Sequence, residues 1–194
     1  MSKPTFNPRT MAVVIVAVII AALRVASFYG IGPLTLFTPL GAMAIFGGAY
    51  FSGWLKPFLL PLLTLFISDV IVSFTLFAEF RVGLLYAGWF WTYAAFALMV
   101  VAAKLLMKYV TITNIVWAIF AITVIHWLVS NFGMCIQENR FSTALYAEKL
   151  TTSFSLELRL LAGTAVFSVI LFGGFALLTR KFPALRFNVG RGAL

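Results

Sequence analysis

"LLPLLTLFISDVIVSF", residues 59–74, is an apolar run broken by a single acid, Asp69. The run is continuous rather than alternating, which argues for a helix over a strand. It lies in a longer apolar segment, 57–77, of about the 20 residues that a helix needs to cross the hydrocarbon core of a bilayer. Five other segments have comparable length and apolarity: 11–28, 34–51, 82–103, 115–132 and 160–179. A transmembrane barrel would show alternation in short segments instead. The expected fold is therefore all-α, an integral membrane bundle of six transmembrane helices in one domain, 1–194.

Composition supports that reading. Of 194 residues, 63% are hydrophobic and only 10% are charged, and the mean hydropathy is +1.07. A soluble domain carries roughly 25% charged residues. The one cysteine, Cys135, excludes an intrachain disulfide and reads as a small packing residue. The net charge of +9 does not point to nucleic acid, because the bases sit at the ends of apolar segments. Lys3 and Arg9 before an apolar run imitate a signal peptide. The apolar pattern resumes past Arg24, however, so an uncleaved first helix is expected.

Charge by side fixes the topology. With six crossings and the N-terminus inside, the inner set is Lys3, Arg9, Lys56, Lys104, Lys108, Arg180, Lys181, Arg186 and Arg191, with no acid. The outer set is Arg24, Arg81, Arg140, Lys149 and Arg159 against Asp69, Glu79, Glu138, Glu148 and Glu157. The positive-inside rule then places both termini in the cytoplasm. An odd number of spans would spoil the partition. The longest link, 133–159, reads as an outer loop in which 141–150 could form a helix lying on the membrane surface, either a lid over a site or a plain surface connection.

Polar groups inside spans are costly and tend to be functional or paired. Asp69 and Ser73 share a face of the third span, one turn apart. Arg24 and Ser27 lie toward the outer end of the first. Thr123, His126 and Ser130 form one stripe of the fifth, followed by Asn131, and Glu157 precedes the last. All fall at a similar outer depth, which describes a bowl open to the outside. Tyr86, Trp89 and Tyr93 are spaced as one helical stripe whose flat faces suit a planar ligand or a cation. The candidate substrate-binding residues are Arg24, Asp69, Ser73, Tyr86, Trp89, His126, Asn131 and Glu157. Each has a plainer alternative: Arg24 and Asp69 as a structural ion pair, His126 as a helix-to-helix hydrogen bond, the aromatics as an interfacial belt.

No P-loop or GxGxxG occurs, so neither ATP hydrolysis nor a dinucleotide is expected of this chain. One histidine, one cysteine and one intramembrane aspartate make a poor metal site, and no cofactor is expected. No GxSxG supports a serine nucleophile.

The second span is rich in small residues. Gly41, Ala44 and Gly48 draw a bare stripe on one face, of the kind that lets helix backbones approach closely. The first span repeats the pattern in Ala17-xxx-Ala21 and Ala22-xxx-Ala26. Both faces are expected to meet either each other or a partner. "FTPLGAMAIFGGAYF", then "LLPLLTLFISDVIVSF" and later "VSNFG", resemble a family of small uncharacterised bacterial membrane proteins assigned to transport. By its layout that family is similar to the S components of energy-coupling factor transporters. The resemblance implies six helices, termini inside and an outer pocket for a scarce micronutrient such as a vitamin. It also implies a first-helix AxxxA surface, a transmembrane T component and two ATPase subunits as partners.

The leading expectation is thus a substrate-capture membrane subunit that is not an enzyme. It would bind a small molecule from outside and be energised by separate ATPases. The alternatives are an autonomous small-molecule carrier, a membrane enzyme with Asp69 and His126 as acid and base, and a purely structural subunit.

Overall fold

The computed structural model of the chain describes residues 19–28, 37–138 and 141–181. Ala17, the starts of the 11–28 and 34–51 segments, Arg140, and the terminal bases Lys3, Arg9, Arg186 and Arg191 lie outside the described residues. Six helices are described: α1 (Ile19–Phe28), α2 (Leu40–Tyr50), α3 (Lys56–Phe74), α4 (Trp89–Leu106), α5 (Ile112–Gln137) and α6 (Thr143–Lys181). The last four are long and apolar enough to cross a membrane, and α1 and α2 are shorter over the described residues.

The distribution of polarity is inverted relative to a water-soluble fold. In α3 the buried face carries Thr64, Ser68, Asp69 and Ser73 along with Leu65 and Val72. The opposite face exposes Leu59, Leu63, Phe66, Ile67, Ile71 and Phe74. Lipid solvates the apolar face, and the bundle interior takes the polar one. This is a multi-pass membrane protein.

Helix α2 sits at the centre. It packs on α3, α4, α5 and α6, and Leu40 through Ile45, Gly47 and Gly48 are all buried. A helix apolar all round is one enclosed on all sides. The bare stripe therefore does not await a partner at these positions. Gly41 lies against the Thr164 side chain of α6. A Cβ on Gly48 would stand 2.8 Å from Lys104 N and 3.0 Å from Ala103 C, both α4 backbone. Ala44 is fully buried between them. The face expected to meet the first helix or a foreign one is filled by α4 and α6 of the same chain.

The helices run alternately up and down. Gly133 near the end of α5 packs on Trp91 at the start of α4. Trp127 of α5 donates to Leu150 O of α6 at 3.0 Å. Lys104 near the end of α4 donates through Nζ to Phe51 O at the end of α2, at 3.2 Å. One end of the bundle thus carries Lys56, Lys104, Lys108, Arg180 and Lys181 and no acid among the described residues; all five acids lie in the other half.

Two expectations about boundaries are corrected. The 82–103 segment does not begin as a helix. Arg81–Val82 and Leu85–Tyr86 pair as an antiparallel hairpin, β1 and β2, in the register Val82 to Leu85. Its two-residue turn starts on Gly83 at φ +72°, the backbone such a turn requires at that position. Gly88, at φ +84°, then caps α4 before Trp89. Nor is 133–159 a loop. α5 continues to Gln137, and α6 starts at Thr143 and runs 39 residues without a break. At 1.5 Å per residue that is about 58 Å, well beyond a hydrocarbon core of about 30 Å. The early turns of α6 are strapped to α5 by Tyr146 OH to Leu128 O at 3.0 Å and by Lys149 Nζ to Glu138 Oε1 at 2.6 Å.

Candidate functional site

A cavity of about 200 Å³ opens in the acid-bearing half, and all six helices contribute to its wall. Each contribution has a local cause. Arg24 projects from α1 onto α3, where its Nη1 donates to Asp69 Oδ1 and, at 2.7 Å, to Ser68 Oγ. Ser68 passes its own proton to the carbonyls of Thr64 and Leu65. Both ionised groups are buried, Arg24 at 6% and Asp69 at 1% exposure. An ion pair so far from water holds only when each charge finds a partner. The guanidinium also lies over the Phe28 ring, 5.2 Å from its centroid.

The hairpin brings Tyr86 over the same carboxylate. Tyr86 OH donates to Asp69 Oδ2 at 3.4 Å, and its ring packs edge-on against Phe77, which also lines the cavity. Burial, and then the Asp69 charge, push the Tyr86 phenol up to about 12, so it stays a proton donor at neutral pH.

Helix α5 supplies His126 and Ser130. His126 Nδ1 sits 3.0 and 3.1 Å from the two carboxylate oxygens of Glu157 on α6. Both groups are buried, and the imidazole stands edge-on to Phe96 of α4 at 5.6 Å. Glu157 does not line the cavity; it holds the ring that does. With Nδ1 committed to the carboxylate, the neutral imidazole is left with Nε2 as its acceptor. Ser130 Oγ donates to His126 O at 2.6 Å, so it is no nucleophile partnered with the ring.

At the mouth of α2, Thr38 and Leu40 line the cavity because the chain there lies flat on α6. A Cβ on Gly163 would come within 2.9 Å of Thr38 N. Leu160, Thr92 and Phe96 complete the wall. Below it, Leu40, Phe96, Met99, Ile119 and Ile122 belong to one apolar core.

Of the expected site residues, the structure brings Arg24, Asp69, Tyr86 and His126 to one cavity, with Glu157 behind His126. It does not bring Ser73, Trp89 or Asn131 there. Ser73 is buried one turn beyond Asp69, and its Oγ has no hydrogen-bond partner among the described residues. Trp89 is 40% exposed and packs on Phe90 and Tyr93. Asn131 Nδ2 donates to Trp127 O within α5 at 2.7 Å and ties α5 to α6 through Ser153 Oγ at 2.9 Å. Trp89 is misplaced because helical spacing cannot be counted from Tyr86 across Gly88; the helix starts afresh after it. Counted within α4, Thr92 and Phe96 are one turn apart and share the cavity face, which sequence reading missed. Ala22 and Ala26 are both exposed, so that AxxxA pattern faces away from the bundle, whereas Ala21, the described member of the other, is buried. Among the described residues no group of three or more His, Cys, Asp or Glu is placed to hold a metal ion.

A cavity walled by all six described helices, with paired charges and aromatic faces, makes this a multi-pass membrane protein with an internal cavity. The chain belongs to DUF6580, a family of unknown function whose profile matches residues 4–185. No curated protein and no solved structure matches it.

Proposed function

We propose that this protein is a membrane-embedded capture subunit for a small micronutrient, energised by separate ATPase partners through a transmembrane T component. The observation that carries the reading is the asymmetry of the bundle. A cavity lined by aromatic rings and by Arg24, Asp69 and His126 lies in the half with the acids. The opposite end carries only bases among the described residues, and there α2 presses directly on the α4 backbone. With the basic end in the cytoplasm, the cavity faces the outside of a bacterial inner membrane. The resemblance of "FTPLGAMAIFGGAYF" and its companion motifs to a transport-assigned family supports the same reading.

The direct test is to purify the protein alone in mild detergent and identify any small molecule it retains by mass spectrometry. Reconstitution should then give uptake only when a T component and ATPases are added. Uptake by the protein alone in vesicles would favour an autonomous carrier and overturn the proposal.

The His126–Glu157 pair favours one second reading, a membrane enzyme. Its acid-base group would be His126 oriented by Glu157, since Asp69 is already engaged by Arg24. Turnover of a retained compound that is lost in His126→Ala would establish it.

A further inference from the structure

The charge balance of the cavity narrows what it can hold. We infer, resting on the capture reading above, that its ligand is an uncharged or singly cationic nitrogen-containing molecule about one ring in size, and that carboxylates and phosphates are rejected.

Among the described residues, the cavity wall holds one arginine and no lysine. That arginine is already matched. Arg24 Nη1 is bound to Asp69 and Ser68 inside the protein. An anionic ligand that reached Nη2 or Nε would meet a guanidinium whose charge Asp69 already answers, and its own charge would stand beside the Asp69 carboxylate in a buried site with no second cation to match it, the costly outcome for any interior charge. The imidazole gives an anion no better purchase. Its Nδ1 is held by both Glu157 oxygens, so a carboxyl group already occupies the nitrogen that an anion would approach. Taken together, the one guanidinium and the one imidazole of the described wall each already have a carboxyl partner within the protein.

The remaining wall has the matching chemistry. His126 Nε2, an acceptor in the neutral ring, suits an N–H donor. The rings of Phe28, Phe77, Phe96 and Tyr86 suit the faces of a planar molecule or a cation. At about 200 Å³ the cavity is smaller than the roughly 300–1,000 Å³ of drug-sized sites, which limits the ligand to about one ring.

Three probes of one shape separate the charges: benzylamine (protonated at pH 7.5), benzamide and benzoate. Each is added at millimolar concentration to the purified protein, and thermal unfolding is followed. Benzylamine and benzamide should raise Tm by about 2 °C or more, and benzoate should not. In Asp69→Asn the guanidinium loses its counter-charge, and the order should reverse in favour of benzoate. If that variant fails to fold, the wild-type comparison decides alone. Benzoate stabilising the wild type as well as the amine does would overturn the charge assignment and leave the capture reading standing. No shift by any probe in either protein would overturn both. Shifts that persist in Thr92→Phe, which fills the cavity, would place the probes elsewhere and also overturn the inference.

Discussion

Arg24 of α1 and Asp69 of α3 form an ion pair inside the bundle, with Ser68 as a second acceptor for the same guanidinium nitrogen. The pair stitches the first helix to the third at the level of the cavity. It also answers the charge of each, so that neither is left alone in a medium of low dielectric. Position and charge in the site both follow from it.

Removing one partner should therefore cost more than removing both. Arg24→Met or Asp69→Leu alone leaves a buried charge and should destabilise by roughly 3–5 kcal/mol. The double variant should cost clearly less than the sum. Thermal or denaturant unfolding of the four proteins in detergent measures the coupling; additive losses would show that the pair contributes no mutual stabilisation.

Glu157 should matter to binding without touching ligand. Because it fixes the His126 ring, Glu157→Ala should weaken retention of the bound molecule about as much as His126→Ala, roughly tenfold. Glu157→Gln keeps an acceptor for Nδ1 and should recover part of it. Quantifying the co-purified ligand by mass spectrometry gives the comparison.

Trp89→Ala should leave ligand binding unchanged, whereas Phe96→Ala should lower it, since only Phe96 lines the cavity. Equal losses in a ligand titration would mean that the hairpin end of α4 closes further over the site than its geometry indicates.

The α2 glycines should be intolerant of a single methyl group. Gly48→Ala would press a Cβ on α4 backbone that cannot turn aside, at a cost of about 1–3 kcal/mol. Gly41→Ala meets only a side chain and should be relieved by Thr164→Ala. Gly173 of α6 has open space around it, so Gly173→Ala should be neutral or stabilise by up to about 1 kcal/mol. Melting temperatures of the four variants rank them.

Tyr86 should leave a trace at high pH. Its hairpin lies outside the spanning helices, and its phenol is raised from 10.0 to about 12, by burial first and by Asp69 second. A pKa raised on folding means that the folded state keeps its proton longer than the unfolded one. The associated stability is complete below pH 10 and is lost as pH rises from 10 to 12. The Tm of the wild type should fall relative to Tyr86→Phe across that window. Parallel curves would mean that this phenol titrates alike in both states.

Membrane residence, helical class and the segregation of acids from bases were legible in the sequence. They rest on runs such as 59–74 and on charge positions, which depend on neighbours in the chain alone. The common level of Arg24, Asp69 and His126 was legible for a related reason: a helix advances a fixed distance per residue, so position in a span converts to depth. Where the cavity ends along each face was not legible. Ser73 lies one turn beyond Asp69 on the same face and stays out of the cavity; Thr92 and Phe96 enter it, and Trp89, at the start of the same helix, does not. The sense in which Gly83 and Gly88 break the fourth segment depended on a hairpin that only contact with Asp69 and Phe77 rewards. Most clearly, the small residues of "TPLGAMAIFGGAYF" announced close packing but not with what. Sequence determined that a backbone would press there, because nothing larger than a methyl group stands in the way. That the α4 backbone and the Thr164 side chain of α6 are what stands there is a property of the assembled bundle, since it depends on which helices the short connections bring to the centre.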